Sequence, residues 1–358
     1  MAGPLRVLVV TEALEPCGVW VYTENLIRGL VRFGHRATVL TPGGSLLGRL
    51  EGSNGAKIIT EPGVNSFLRR GGAARRTVRA LGGPKPEIVH ALTADAQAAA
   101  ARIARSLGVP YVLTSHRFHK RPDPVRIGSR CARVIAVSEA IRENLVNDTH
   151  VAKELISIVP NGLDLSRYHV PPERPEGSIP VAGCVGRLVS DRGIAFLLEA
   201  AKLIRDAGHD IEYVIAGDGP GKNRLLELAG RLGLRERFTM SGGAADYSGV
   251  LPAMDIFVAP SLSEGLGVHI IEAMACGRPV VASSVGGIFT VVKDGKGGFL
   301  VPPRDPEAIA KVIISLIKDP HLRVAMGSYG RQQVESSFNL AKMLEGTEEA
   351  YRRAIQGS

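Results

Sequence analysis

Cysteine is sparse in this chain of 358 residues: Cys17, Cys131, Cys184 and Cys276 are scattered, with no Cys-x-x-Cys pair. A disulfide framework and a zinc site are therefore not expected, and the reducing cytosol is the expected compartment. Long apolar runs are also missing. Although 45% of the residues are hydrophobic, no run approaches the ~20 residues that cross a bilayer. The apolar stretch at 5–10 is followed at once by Glu12 and Glu15, which reads as a first buried strand and not a cleavable signal. No His, Cys and Asp cluster has metal-ligand spacing, so no metal is expected. Acidic residues are absent between Glu61 and Glu87.

What is present suits two domains of ordinary size, each able to bury a core. The net charge of +9 is unevenly placed: residues 1–170 carry 23 Lys and Arg against 13 Asp and Glu, and the remainder 21 against 22. All the excess therefore lies in the first half, which speaks of partners and not of fold. That half alternates strand and helix. Short apolar strands are expected at 5–11, 37–41, 57–60, 87–90, 111–114, 134–137 and 156–159, with helices at 19–33, 94–107 and 139–147. Five residues, Pro171, Pro172, Pro175, Gly177 and Pro180, then fall within ten positions, a density that excludes helix and central strand. The alternation resumes with strands at 181–185, 212–216, 238–241, 256–259 and 299–301, and helices at 194–207, 221–232, 305–317 and over the last two dozen residues. Such a pattern implies α/β architecture: two Rossmann-like, doubly wound parallel-sheet domains. The expected division is 1–168, a linker at 169–180, a second domain at 181–337 and a final segment at 338–358.

The stretch at 261–282, SLSEGLGVHIIEAMACGRPVVA, concentrates the chemistry. A buried strand feeds a loop with Gly265 and Gly267, which opens a short apolar helix ending near Gly277. Backbone N–H groups and the positive end of the helix dipole then converge on one spot, which suits a phosphate. Glu264 and Glu272 bracket it, placed to reach opposite ends of a ligand with a diphosphate at its middle. A nucleotide sugar has that layout.

The run E-G-x-G-x-x-x-x-E-A-M-A-x-G-x-P-V-V-A resembles the signature of family-4 retaining glycosyltransferases, which have the GT-B fold of two such domains facing a central cleft. The resemblance implies roles residue by residue. Glu264 would face the transferred sugar, Gly265, Leu266 and Gly267 would offer backbone contacts, and Glu272 would hold the ribose. Arg187, in Val185-Gly186-Arg187-Leu188, and Arg192, in Asp191-Arg192-Gly193, resemble the two cations that clamp the donor diphosphate. The second of these is usually lysine. Gly217 and Gly219 match a turn at the floor of the nucleotide site, and its spacing does not fit a nicotinamide-binding GxGxxG. Gly18 matches one of a glycine pair near the donor phosphate, its partner replaced by Cys17. His116 resembles the histidine near the transferred sugar. Where the family usually has Pro-Glu after two glycines, Phe289-Thr290 follows Gly286-Gly287. The family usually works without a metal, and no Asp-x-Asp pair occurs in this chain. The final helix, 340–354, would cross back onto the first domain.

The implied activity is retaining transfer of a sugar from a UDP- or GDP-sugar, with no other cofactor, to a hydroxyl. The positive half, with arginines at 69, 70, 75, 76 and 79 and a further basic run from Arg117 to Arg133, points to an anionic or lipid-linked acceptor. Residues 64–81 approximate a basic amphipathic helix suited to the inner face of an anionic membrane, and no nucleic acid is expected. Two other classes use the same features: an epimerase or hydrolase acting on nucleotide sugars, and a non-catalytic binder of anionic polymer or membrane.

Overall fold

Short runs of branched apolar residues make the strands of both units. In the computed structural model, residues 3–51, 55–64, 70–119, 130–175, 177–243 and 247–357 are described. The chain divides into two compact units, one holding the segment up to Glu15, Val19–Gly162 and Leu340 onward, the other Pro16–Gly18 and Leu163–Asn339.

The first unit contains β1 (Arg6–Val10), α1 (Gly18–Arg32), β2 (Arg36–Thr41), α2 (Leu47–Glu51), β3 (Lys57–Thr60), α3 (Arg70–Ala80), β4 (Ile88–Ala91), α4 (Ala94–Leu107), β5 (Tyr111–Ser115), β6 (Cys131–Ala136), α5 (Glu139–Asn147) and β7 (Ile156–Ile158). All strands pair in parallel in the order β3-β2-β1-β4-β5-β6-β7. Every residue of β4 and β5 is buried, as expected for central strands covered on both faces. Their helices are stopped by local chemistry. Thr93 caps α4 by accepting from Ala96 N, and Gly108 ends it in the left-handed conformation at φ 68°.

The second unit contains β8 (Val181–Val185), α6 (Ile194–Asp206), β9 (Glu212–Ala216), α7 (Lys222–Arg231), β10 (Phe238–Ser241), β11 (Ile256–Ala259), α8 (Val268–Ala275), β12 (Val280–Ser283), α9 (Ile288–Val291), β13 (Gly298–Val301), α10 (Pro306–Lys318) and α11 (Pro320–Ser337). Its strands are parallel in the order β10-β9-β8-β11-β12-β13. Asp305 and Asp319 cap α10 and α11, each followed by a proline in the first turn. The last helix, α12 (Leu340–Gln356), belongs to the first unit, where Leu340, Met343, Leu344, Ala350 and Tyr351 share a core with Leu5, Val7 and Val9.

The division between units falls after Gly162, and Tyr168 is buried within the second unit. Part of the basic amphipathic stretch, including Phe67 and Leu68, lies outside the described residues, as do Lys120, Arg121 and Arg126. Of the residues expected on the apolar face of that stretch, Val64 and Ala74 are buried and Val78 and Leu81 half-buried. Ala73 and Thr77 are buried too, and α3 packs on α4. Arg75, Arg76 and Arg79 remain exposed, with Arg76 held in a fork by Glu61 at 2.7 and 2.8 Å. No helix among the described residues is long and apolar enough to cross a membrane.

Candidate active site

Strand order locates a site in the second unit before any side chain is considered. The chain runs from β8 outward through β9 and β10, then returns to the other side of β8 for β11, β12 and β13. Beyond the carboxyl ends of β8 and β11 the flanking loops part, which is where open α/β sheets bind ligands. A cavity lies there, lined by Cys184, Arg192, Ser261, Glu264, Gly267 and His269 among others. Sequence reading singled out Arg192, Glu264 and Gly267; Cys184 and His269 are new. Burial pushes the Cys184 thiol up to about 12, with nearby Arg192 opposing the shift.

The two arginines differ in what they do. Arg192 sits on a one-turn helix, Ser190–Arg192, and donates to Oε2 of Glu264. Backbone bonds fix both partners: Leu262 N donates to Asp191 O at 2.8 Å, and Gly287 N to Glu264 O at 2.9 Å. Arg187, just past β8, is exposed and forms no ion pair among the described residues. Its loop is wedged tightly. A Cβ on Gly217 would lie 1.9 Å from the carbonyl oxygen of Gly186, and one on Gly219 2.7 Å from that of Leu188. These two glycines, expected to touch the donor, are thus required by loop-on-loop packing that holds Arg187 in place.

At the start of α8, Gly267 occupies the cap position at φ 94°, a conformation that side-chain-bearing residues rarely adopt. No side chain caps this helix, and Ile270 N donates to Gly267 O at 3.0 Å, so the N–H groups of Val268 and His269 are left for another acceptor. Leu266 is buried, at 2% exposed. Glu272 is wholly buried and its carboxylate is engaged on both sides. Tyr168 Oη donates to Oε1 at 2.7 Å, and His269 Nδ1 lies 2.6 Å from Oε2. Three positions apart on a helix, His269 and Glu272 share a face. The Tyr247 ring meets the His269 ring edge-on at 5.3 Å. Glu272, expected to hold the ribose, is bonded here to Tyr168 and His269. Gly18 is grouped with this unit, and a Cβ there would lie 3.9 Å from Val268. Asp255, by contrast, is structural, accepting from Val181 N at 2.8 Å and from Arg174 at 3.2 Å. Among the described residues no group of three His, Cys, Asp or Glu is arranged to hold a metal.

In the first unit, His116 follows β5. Its ring packs edge-on against Tyr22 at 4.6 Å, and its Nε2 is buried without a partner. Loss of water around the ring pushes its pKa down to about 4, against a hydrogen bond to the backbone of Leu92. Behind it runs a chain the sequence did not announce. Tyr351 Oη lies 2.7 Å from His90 Nδ1, His90 Nε2 2.7 Å from Thr114 Oγ1, and Thr114 Oγ1 3.2 Å from Tyr22 Oη. Burial, and then the neighbouring His116, hold His90 down at about 3.

Comparison with known proteins decides the family. Residues 171–333 match the family described as glycosyl transferases group 1, and residues 16–167 match glycosyltransferase family 4. The D-inositol 3-phosphate glycosyltransferase of Frankia alni is 30% identical over 322 residues, 78% of this chain and 77% of that one. The chain belongs to the group 1 glycosyltransferases. Other relatives of this group 1 chain include the GDP-mannose-dependent alpha-(1-6)-phosphatidylinositol monomannoside mannosyltransferase of Mycolicibacterium smegmatis, 29% identical over 96% of this chain and 99% of that one. A match to alpha-D-kanosaminyltransferase of Streptomyces kanamyceticus is 36% identical but spans 45% of this chain and 42% of that one. In fold, the group 1 chain is similar to Anabaena Alr3699/HepE, solved in complex with UDP and glucose, with a TM-score of 0.84, 21% identity and 97% and 99% of the two chains covered. Two parallel-sheet α/β units of this kind make the GT-B fold.

Proposed function

We propose that this group 1 glycosyltransferase transfers a hexosyl group, with retention, from a nucleotide diphosphate sugar to a hydroxyl. The observation that carries the reading is the Arg192–Glu264 pair set beside an uncapped helix start at the strand-order switch. Breaking the sugar–phosphate bond leaves negative charge on the departing diphosphate. Arg187, Arg192 and the first-turn N–H groups of α8 are fixed positive groups aimed at such charge, and fixed groups of this kind supply several kcal/mol to a transition state. A guanidinium grips phosphate oxygens in a fork. When Arg192 turns to the diphosphate, Glu264 is released toward the sugar. We assign His116 to the transferred sugar, and Gly18 and the backbone at 265–267 to the phosphates. UDP and GDP are the carriers to test first, since GDP-mannose is named for one relative.

The acceptor we propose is anionic or lipid-linked, met by the positively charged half at the inner face of the membrane. Two observations support this: the net surplus lies wholly in residues 1–170, and two relatives are named for anionic acceptors, phosphatidylinositol monomannoside and D-inositol 3-phosphate. The test is incubation with UDP- and GDP-hexoses, with and without inositol phosphate or phosphoinositide acceptors, followed by NMR of the new anomeric centre. A product of unchanged anomeric configuration, formed only with acceptor, is expected. Free sugar or an epimer formed equally without acceptor would assign the protein to hydrolysis or epimerisation instead.

A further inference from the structure

A second cavity, of about 360 Å³, lies wholly in the first unit and shares no residue with the one at β8 and β11. Its volume is at the small end of pockets that take small molecules. Arg142 on α5, Lys153 on a one-turn helix (Lys153–Leu155) and Arg353 on α12 reach it from three elements, and Glu349 is the one carboxylate in its lining. Arg142 and Arg353 each pair with a glutamate of their own helix, Glu139 and Glu349, while Lys153 has no ion pair among the described residues. Arg353 and Glu349 are both more than half exposed, at 56% and 61%, so their pairing is weak and gives way to a ligand at little cost. One wall is β7, the outer strand of its sheet. Val159 N donates inward to Ala136 O at 2.9 Å, so the neighbouring Ile158 N–H points off the sheet edge, where it has no hydrogen-bond partner among the described residues. The Ile158 side chain is 40% exposed.

We propose that this cavity binds a soluble phosphorylated sugar, at a site apart from sugar transfer. Three cations against one carboxylate favour an anion, and the two guanidinium forks match phosphate oxygens. Glu349, once Arg353 turns to the phosphate, accepts from the sugar hydroxyls beside Ser157, and the Ile158 side chain backs the apolar face of the ring. That carboxylate and that apolar wall are what separate a sugar phosphate from a bare anion. The lining runs along β7 from the one-turn helix before it. Open parallel sheets bind their reactants beyond the carboxyl ends of the strands, so a ligand along the edge is held without being consumed. These contacts stand whichever donor the second unit takes.

Calorimetry with glucose 6-phosphate, glucose and inorganic phosphate tests this on the native protein, Lys153→Ala, Arg353→Ala, Arg75→Ala and Arg192→Ala. The native protein is expected to bind glucose 6-phosphate about tenfold more tightly than glucose or inorganic phosphate. Lys153→Ala and Arg353→Ala should each weaken that binding about tenfold, the scale of one charge-assisted hydrogen bond. Both side chains are exposed, so the fold survives their loss. Arg75→Ala removes the same charge from an exposed position on α3, and Arg192→Ala removes a cation from the cavity at β8 and β11; both should bind glucose 6-phosphate as the native protein does. Native protein that does not bind glucose 6-phosphate, or binds inorganic phosphate as tightly, overturns the assignment. Unchanged affinity in Lys153→Ala and Arg353→Ala overturns it, as does an equal loss in Arg75→Ala, which would mark a diffuse charge effect. Loss in Arg192→Ala overturns it by moving the sugar phosphate to the other cavity, and leaves the transferase reading standing.

Discussion

Arg192 and Glu264 hold one another across the cavity at the ends of β8 and β11, a cation on one loop neutralising the carboxylate on the next. The pair keeps each group oriented, and partial exposure of both, 30% and 14%, leaves it open to exchange with a charged ligand. Binding of a diphosphate would compete for the arginine and free the glutamate in the same event.

Arg192→Ala is accordingly expected to lower kcat/KM about a hundredfold, the loss typical of one fixed stabilising group. Arg192→Lys keeps the charge without the fork and should recover part of it. Steady-state kinetics check this; wild-type rates in Arg192→Ala would remove the arginine from the phosphate-binding role.

Tyr168→Phe strips one of the two donors from a carboxylate with no access to water. Leaving a buried acceptor short of a partner costs about 1–3 kcal/mol. Urea unfolding should show that loss. An unchanged midpoint would mean that Glu272 finds another donor.

Gly217→Ala tests whether this glycine serves packing. Its Cβ would lie 1.9 Å from the Gly186 carbonyl oxygen, which is backbone and cannot swing aside. The loop bearing Arg187 must shift, so weaker donor binding and a lower melting temperature are expected together. A ligand-contact role alone would weaken binding with no change in melting.

Stability should also fall in acid. His90 and His116 are held at about 3 and about 4, below their ordinary 6.5, chiefly by burial. A depressed histidine value favours the neutral folded form, so its contribution is complete above about pH 6.5 and is lost as pH falls toward 4. Each group adds a slope of up to about 1.4 kcal/mol per pH unit over that window. Denaturation at pH 7, 6 and 5 measures the slope, and His116→Gln should make it shallower.

The alternation of apolar runs made both sheets legible in the sequence, because central parallel strands must be apolar on both faces. The Glu264–Gly267 turn was legible for a similar reason: a strand, a glycine loop and a helix adjoin in the chain. Less visible were contacts that join distant segments. Tyr168 lies 104 residues from Glu272, and Tyr351 lies 261 from His90, and neither spacing leaves a periodic trace. His269 is different. Its position three residues before Glu272 on a helix already placed the two on one face. The packing demand on the glycines at 217 and 219 was not legible, because motif position does not distinguish a residue that touches a ligand from one that shapes the backbone around it.

Thermal unfolding of the native protein with UDP, GDP and their hexose derivatives tests the central claim most directly. One nucleotide diphosphate sugar at a hundredfold excess over its dissociation constant should add about 2.7 kcal/mol of stability, and Arg192→Ala should abolish the gain. No stabilisation by any of them, or an equal gain in Arg192→Ala, would contradict a diphosphate site at the ends of β8 and β11.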